Sequence, residues 1–86
     1  MAITSDDLRA AAEVVTTAAS VRDAAATWRT RAPAMRVVVV DAMDMRDETP
    51  ALVLGDRRVF LATSNGHCWT TTQQPDEATA LILTQD

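Results

Sequence analysis

Arg58-Val59-Phe60-Leu61-Ala62-Thr63-Ser64, then Asn65-Gly66, then His67-Cys68-Trp69-Thr70-Thr71-Thr72 is the stretch that decides the fold. Two β-prone runs joined by Asn-Gly are a strong hairpin signal, because a type I′ turn needs φ > 0 at both central residues. A two-residue turn pairs Ser64 with His67, Thr63 with Cys68, Ala62 with Trp69 and Phe60 with Thr71. Side chains alternate across a strand, so His67 and Cys68 point to opposite faces.

A second hairpin precedes the first. Ala51-Leu52-Val53-Leu54 is a short strand, and Gly55-Asp56 supplies a type II′ turn into Arg57. This turn pairs Leu52 with Val59 and Val53 with Arg58. One face then carries Leu52, Leu54, Val59, Leu61 and Cys68. The other carries Ala51, Val53, Phe60, Ala62 and Trp69, with Arg58, His67 and Thr71.

Upstream, Met35-Arg36-Val37-Val38-Val39-Val40 reads as a further strand, and its unbroken apolar run suggests burial on both faces. Residues 41–50 are polar apart from Met43 and Met45 and read as a loop. Before Pro33 the pattern is helical. Thr4-Ser5-Asp6-Asp7 offers an N-cap with acids in the first turn, and Leu8, Ala11, Ala12, Val15 and Ala19 recur at helical spacing. Ser20-Val21-Arg22-Asp23 reads as a second capping box, opening a helix from Val21 to about Arg31 that buries Val21, Ala24, Ala25 and Trp28. One long kinked helix is the alternative. Gln74-Pro75-Asp76-Glu77 looks like a helix start, whereas Leu81-Ile82-Leu83 equally suits a final strand.

The expectation is therefore a single α+β domain over residues 1–86. Two N-terminal helices pack on one face of a small antiparallel β-meander, with a short C-terminal helix or strand. The aliphatic face meets the Ala-rich helices. Two short helices leave the face of Phe60, Val53 and Trp69 without cover. Either Trp69 packs against the C-terminal segment, or this face is an aromatic binding surface.

The 86 residues carry 12 acids against 8 bases, a net charge of −4, and every basic residue is Arg. Negative charge with scattered bases argues against direct nucleic-acid binding, which requires phosphate neutralisation. No apolar run approaches the ~20 residues of a membrane span, and the N-terminus lacks a secretory signal, so no membrane association and a cytoplasmic location are expected.

The candidate chemistry is sparse. Cys68 is the sole cysteine and His67 the sole histidine. A cysteine nucleophile needs a base within hydrogen-bond reach, and adjacent strand residues face apart. Asp41, Asp44, Asp47 and Glu48 are spaced like ligands for a hard cation, but the EF-hand order and its central Gly are absent, and Arg46 sits among them. They read instead as a solvated acidic loop, or as an acidic patch that mimics nucleic-acid phosphate, with Met43 and Met45 as adaptable apolar contacts. No phosphate-binding loop, serine elbow or dinucleotide fingerprint occurs. No cofactor and no metal is expected.

Phe60-Leu61, His67-Cys68-Trp69-Thr70-Thr71 and Ala78-Thr79-Ala80-Leu81-Ile82-Leu83, with the helices before Pro33, resemble a small domain family of unknown function found in proteobacteria. The resemblance covers most of the chain loosely; Ala80 departs from it, standing where that pattern has Gly. It implies a compact α+β protein and no activity.

The reading that results is a small acidic, non-catalytic protein–protein interaction module. It acts through Trp69, Phe60 and Val53, through Asp41, Asp44, Asp47 and Glu48, or through both. An inhibitor of a nucleic-acid-binding or nuclease complex, of the anti-CRISPR kind, is one version; a homodimeric adaptor is another. The alternative is a thiol- or metal-handling accessory protein centred on Cys68.

Overall fold

A computed structural model describes residues 3–33, 35–64 and 69–86, with only the backbone of Ser64 and Trp69 described. Its fold is α+β: helices α1 (Ser5–Thr17) and α2 (Val21–Arg31), then strands β1 (Arg36–Val39), β2 (Leu52–Leu54), β3 (Arg57–Ser64), β4 (Trp69–Thr72) and β5 (Ala80–Gln85). Thr4 caps α1 through a full capping box with Asp7, and the Ser20 side chain accepts from the Asp23 backbone N–H at the start of α2. The two helices are separate, as the caps anticipate. No residue of the last turn of α1 is basic; instead Arg57 reaches over from β3. Its guanidinium donates to the carbonyls of Val15 (2.7 Å), Ala18 (2.6 Å) and Ala19 (2.9 Å). A cation there satisfies orphan carbonyls and opposes the negative end of the helix dipole.

The sheet is mixed rather than an antiparallel meander. Its order is β1-β5-β3-β2, with β4 also paired to β3, and β1 runs parallel to β5. The chain end resolves into a one-turn 3₁₀ segment at Pro75–Glu77 followed by β5, so the open choice between helix and strand closes on strand. β5 inserts between β1 and β3 and is buried along nearly its whole length. It is this strand, and not the valine run, that lies between two neighbours. Among the described residues β1 pairs only with β5, and its Val38 is 40% exposed.

Inserting β5 also resets the main hairpin. β5 takes one edge of β3 from Arg57 to Ala62, so β2 and β4 must share the other edge. β2 holds residues 57–59 of that edge. The expected pairing puts Thr71 opposite Phe60, which sets Thr72 against Val59 and into the place of Leu52. The observed pairs are Leu61–Thr72, Ala62–Thr71, Thr63–Thr70 and Ser64–Trp69, two positions along. The expected Asn65-Gly66 turn, with His67 and Cys68, lies outside the described residues. A two-residue shift keeps the same side chains on the same face, whereas a one-residue slip exchanges them. The Gly55-Asp56 turn is as expected: Leu54 pairs with Arg57, Gly55 has φ 69°, and no described non-glycine residue has positive φ, the pattern of a type II′ turn.

Two core clusters follow from strand alternation. Ala11, Val14, Val15, Val21, Ala24, Ala25 and Trp28 of the helices cluster with Val37, Val59, Leu61, Leu81 and Leu83 of the strands, and Leu52 and Leu54 pack against them. Phe60, Ala62, Ala80 and Ile82, the alternate residues of β3 and β5, form a second, smaller cluster with Val40 and Met45 packed against it. Phe60 is 1% exposed. The expectation that it stands uncovered is corrected, and the topology gives the reason. β1 and β2 sit at opposite sides of the β5–β3 pair, so the connection between them must cross the sheet. It crosses over Phe60.

Candidate interaction surface

The crossing segment is residues 41–50, here called the strap. Val40 enters it by donating its N–H to the Leu83 carbonyl (3.1 Å), and Ala51 leaves it by donating to the Val59 carbonyl (2.8 Å). Asp41 starts a 3₁₀ turn over Ala42–Met45: its carboxylate accepts from the Met43 N–H (2.9 Å) and its carbonyl accepts from the Asp44 N–H (3.0 Å). This is the local geometry that Asp favours ahead of a turn. The fold of the turn sends Met45 down onto the Phe60 cluster and leaves Met43 67% exposed. At its far end the strap is tied to the region of β4. Thr71 Oγ1 donates to Glu48 Oε2 (3.2 Å), and Gln73 Nε2 donates to the Thr49 carbonyl (3.0 Å).

The acidic residues are therefore strap residues. Asp41, Asp44, Asp47 and Glu48 are all exposed. Asp41 is occupied in capping the turn and Glu48 in holding β4, while among the described residues Asp44 and Asp47 make no side-chain hydrogen bond. Among the described residues no three His, Cys, Asp or Glu side chains gather as a metal would require. Beside the strap lies a shallow groove of about 370 Å³ lined by Asp41, Met43, Arg46, Arg58 and Asp86. Arg58 and Asp86 approach to 3.9 Å with both side chains well exposed, a geometry that contributes little to stability. The groove thus holds carboxylates and guanidiniums together.

Apolar surface accompanies these charges. The exposed large hydrophobic residues among those described are Val38, Met43 and Val53. Val53 (61% exposed) pairs with Arg58, and Arg58 lines the groove with Met43. Val38 pairs with Ile82 of the Phe60 cluster. Along β2, Val53 alternates with Leu52 and Leu54, which pack toward the helix cluster. All three exposed hydrophobics belong to the strap side of the sheet.

Of the residues singled out from sequence, Val53 and the four acids are on this surface. Phe60 lies beneath it. Trp69 is placed only as the register partner of Ser64. Val38 and Arg58 were not singled out as partner contacts. Val38 was hidden inside a run that looked doubly buried; period-two alternation with the buried Val37 is the signal that finds it.

No protein-family model matches the chain, and comparison with curated proteins and with solved structures finds no match either. No residue acquires a role by analogy. Among the described residues, no helix is long and apolar enough to cross a membrane.

Proposed function

We propose that this chain is a small, acidic, non-catalytic protein-binding module whose contact surface is the strap side of the sheet. The observation that carries the reading is the exposure of Met43 and Val53, with Arg58 paired to Val53 and lining a groove with Met43, and with the exposed acids Asp44 and Asp47 on the same strap as Met43. Exposed apolar side chains are ordinary when scattered, but apolar residues set among charges on one side of a sheet fit the mixed apolar and polar anatomy of a protein interface. Methionine adapts its shape to a partner, and the acids select a basic one. An inhibitor that occupies the basic cleft of a nucleic-acid-handling complex, of the anti-CRISPR kind, is the version that uses both features. A homodimeric adaptor uses the apolar residues alone.

The test is comparative capture. The immobilised protein, Val53→Glu and the double variant Asp44→Arg/Asp47→Arg are exposed to the same cell extract, and bound species are identified by mass spectrometry. The reading expects a basic species held by the wild type and lost from both variants, with both variants still folded by circular dichroism. Equal retention by all three proteins refutes it.

A further inference from the structure

We infer that the strap opens off the Phe60 cluster as a unit, without unfolding the sheet or the helices. Length comes first. β1 and β2 are separated by three strand spacings, roughly 14 Å at ~4.8 Å each. Residues 41–50 reach roughly 33 Å when extended. The strap therefore has slack, which it takes up in the 3₁₀ turn at Ala42–Met45, and it lifts without pulling on either strand. Attachment comes second. Among the described residues, between its two ends the strap is held by two exposed hydrogen bonds, from Thr71 to Glu48 and from Gln73 to Thr49, and by Met45 packed on the cluster. Its own hydrogen bonds, within Asp41–Asp44 and Met45–Glu48, close locally and survive lifting. Segments with few buried apolar contacts and exposed hydrogen bonds open at a fraction of the global unfolding free energy. The open state uncovers the part of the Phe60 cluster on which Met45 packs, a sheet surface that the closed state hides. This inference stands on the strap's geometry and not on the proposed partner.

Methionine oxidation reads the opening directly. Hydrogen peroxide transfers one oxygen atom to an accessible thioether, giving the sulfoxide and water. Met43 is 67% exposed, Met35 is 6% exposed and belongs to the helix cluster, and Met45 is the strap's own contact with the sheet. Tryptic cleavage after Arg36 and Arg46 separates Met35 from the peptide holding Met43 and Met45, and fragmentation distinguishes those two. The expected order of rates is Met43, then Met45, then Met35. Adding urea below the unfolding transition should raise the Met35 rate steeply and the Met45 rate less, because strap opening exposes far less new surface than global unfolding. The double variant Thr71→Ala/Gln73→Ala removes both tethers. It should speed Met45 oxidation about three- to tenfold, the scale of one or two exposed hydrogen bonds, and leave Met35 unchanged. A Met45 rate with the urea dependence of Met35 overturns the inference, since only global unfolding then uncovers it. A Met45 rate indifferent to the double variant overturns it too, since its oxidation is then a property of the closed state.

Discussion

Phe60→Ala tests where the second core lies. Phe60 is 1% exposed, pairs with Ile82 across β3 and β5, and shares its cluster with Ala62 and Ala80 beneath Met45. Truncating a buried Phe costs about 3–5 kcal/mol, the transfer free energy of the ring plus that of the cavity. The lower end applies here, because the strap is a connection with slack and can settle into part of the space. A loss near 3 kcal/mol is large against the stability of a domain of this size, roughly 4–13 kcal/mol by the usual per-residue scale. At ~4–8 °C per kcal/mol, the melting temperature should fall by at least about 12 °C. Val53→Ala, at a 61% exposed position, should change stability by no more than about 0.5 kcal/mol. Urea titration followed by far-ultraviolet circular dichroism measures both, and parallel slopes confirm that the same transition is compared. If Phe60→Ala loses less than about 1 kcal/mol, the ring is not enclosed as described, and the strap does not cover it.

Further outcomes follow from other side chains. Arg57→Met removes the guanidinium bonded to three carbonyls at the end of α1; water can replace part of this, so a loss of about 1–2 kcal/mol is expected in the same urea assay. Trp28 is buried and its Nε1–H has no partner among the described residues, so Trp28→Phe should lie within about 1 kcal/mol of wild type, whereas Trp28→Ala loses about 3–5 kcal/mol. For a captured partner, the association rate should fall as salt rises, and Asp44→Arg/Asp47→Arg should slow it further at low salt; surface plasmon resonance at several salt concentrations reads both. A rate indifferent to salt makes these two acids ordinary solvated surface.

Local rules succeeded wherever the information was local. Ser20 and Asp23 mark the start of α2, and the period of Val21, Ala24, Ala25 and Trp28 marks its buried stripe. Gly55 with positive φ fixes the Leu54–Arg57 turn. Pairing across the sheet is not local. The valine run 37–40, three residues of which lie in β1, looks more like a central strand than Ala80-Leu81-Ile82-Leu83 does, yet β5 is central. No periodicity in either segment encodes that choice.

The single topological difference propagates to the candidate site. Were β1 beside β2, the connection between them would run along one edge and Phe60 would stand in water. Because β5 separates them, the connection crosses the sheet and brings Met45 onto Phe60. The acids and the aromatic ring, which the sequence presents as separate contact surfaces, are thus two layers of one structure. Asp44 and Asp47 ride on the outside of a segment whose inner side seals Phe60. A partner that binds the acids to the closed strap meets Met43 and Val53. A partner that holds the strap open meets the Phe60 cluster instead. Val53→Glu impairs the first mode directly. A strap-tether variant such as Thr71→Ala/Gln73→Ala strengthens the second while leaving the first near wild type, because a ligand gains whatever free energy no longer opposes its competent state.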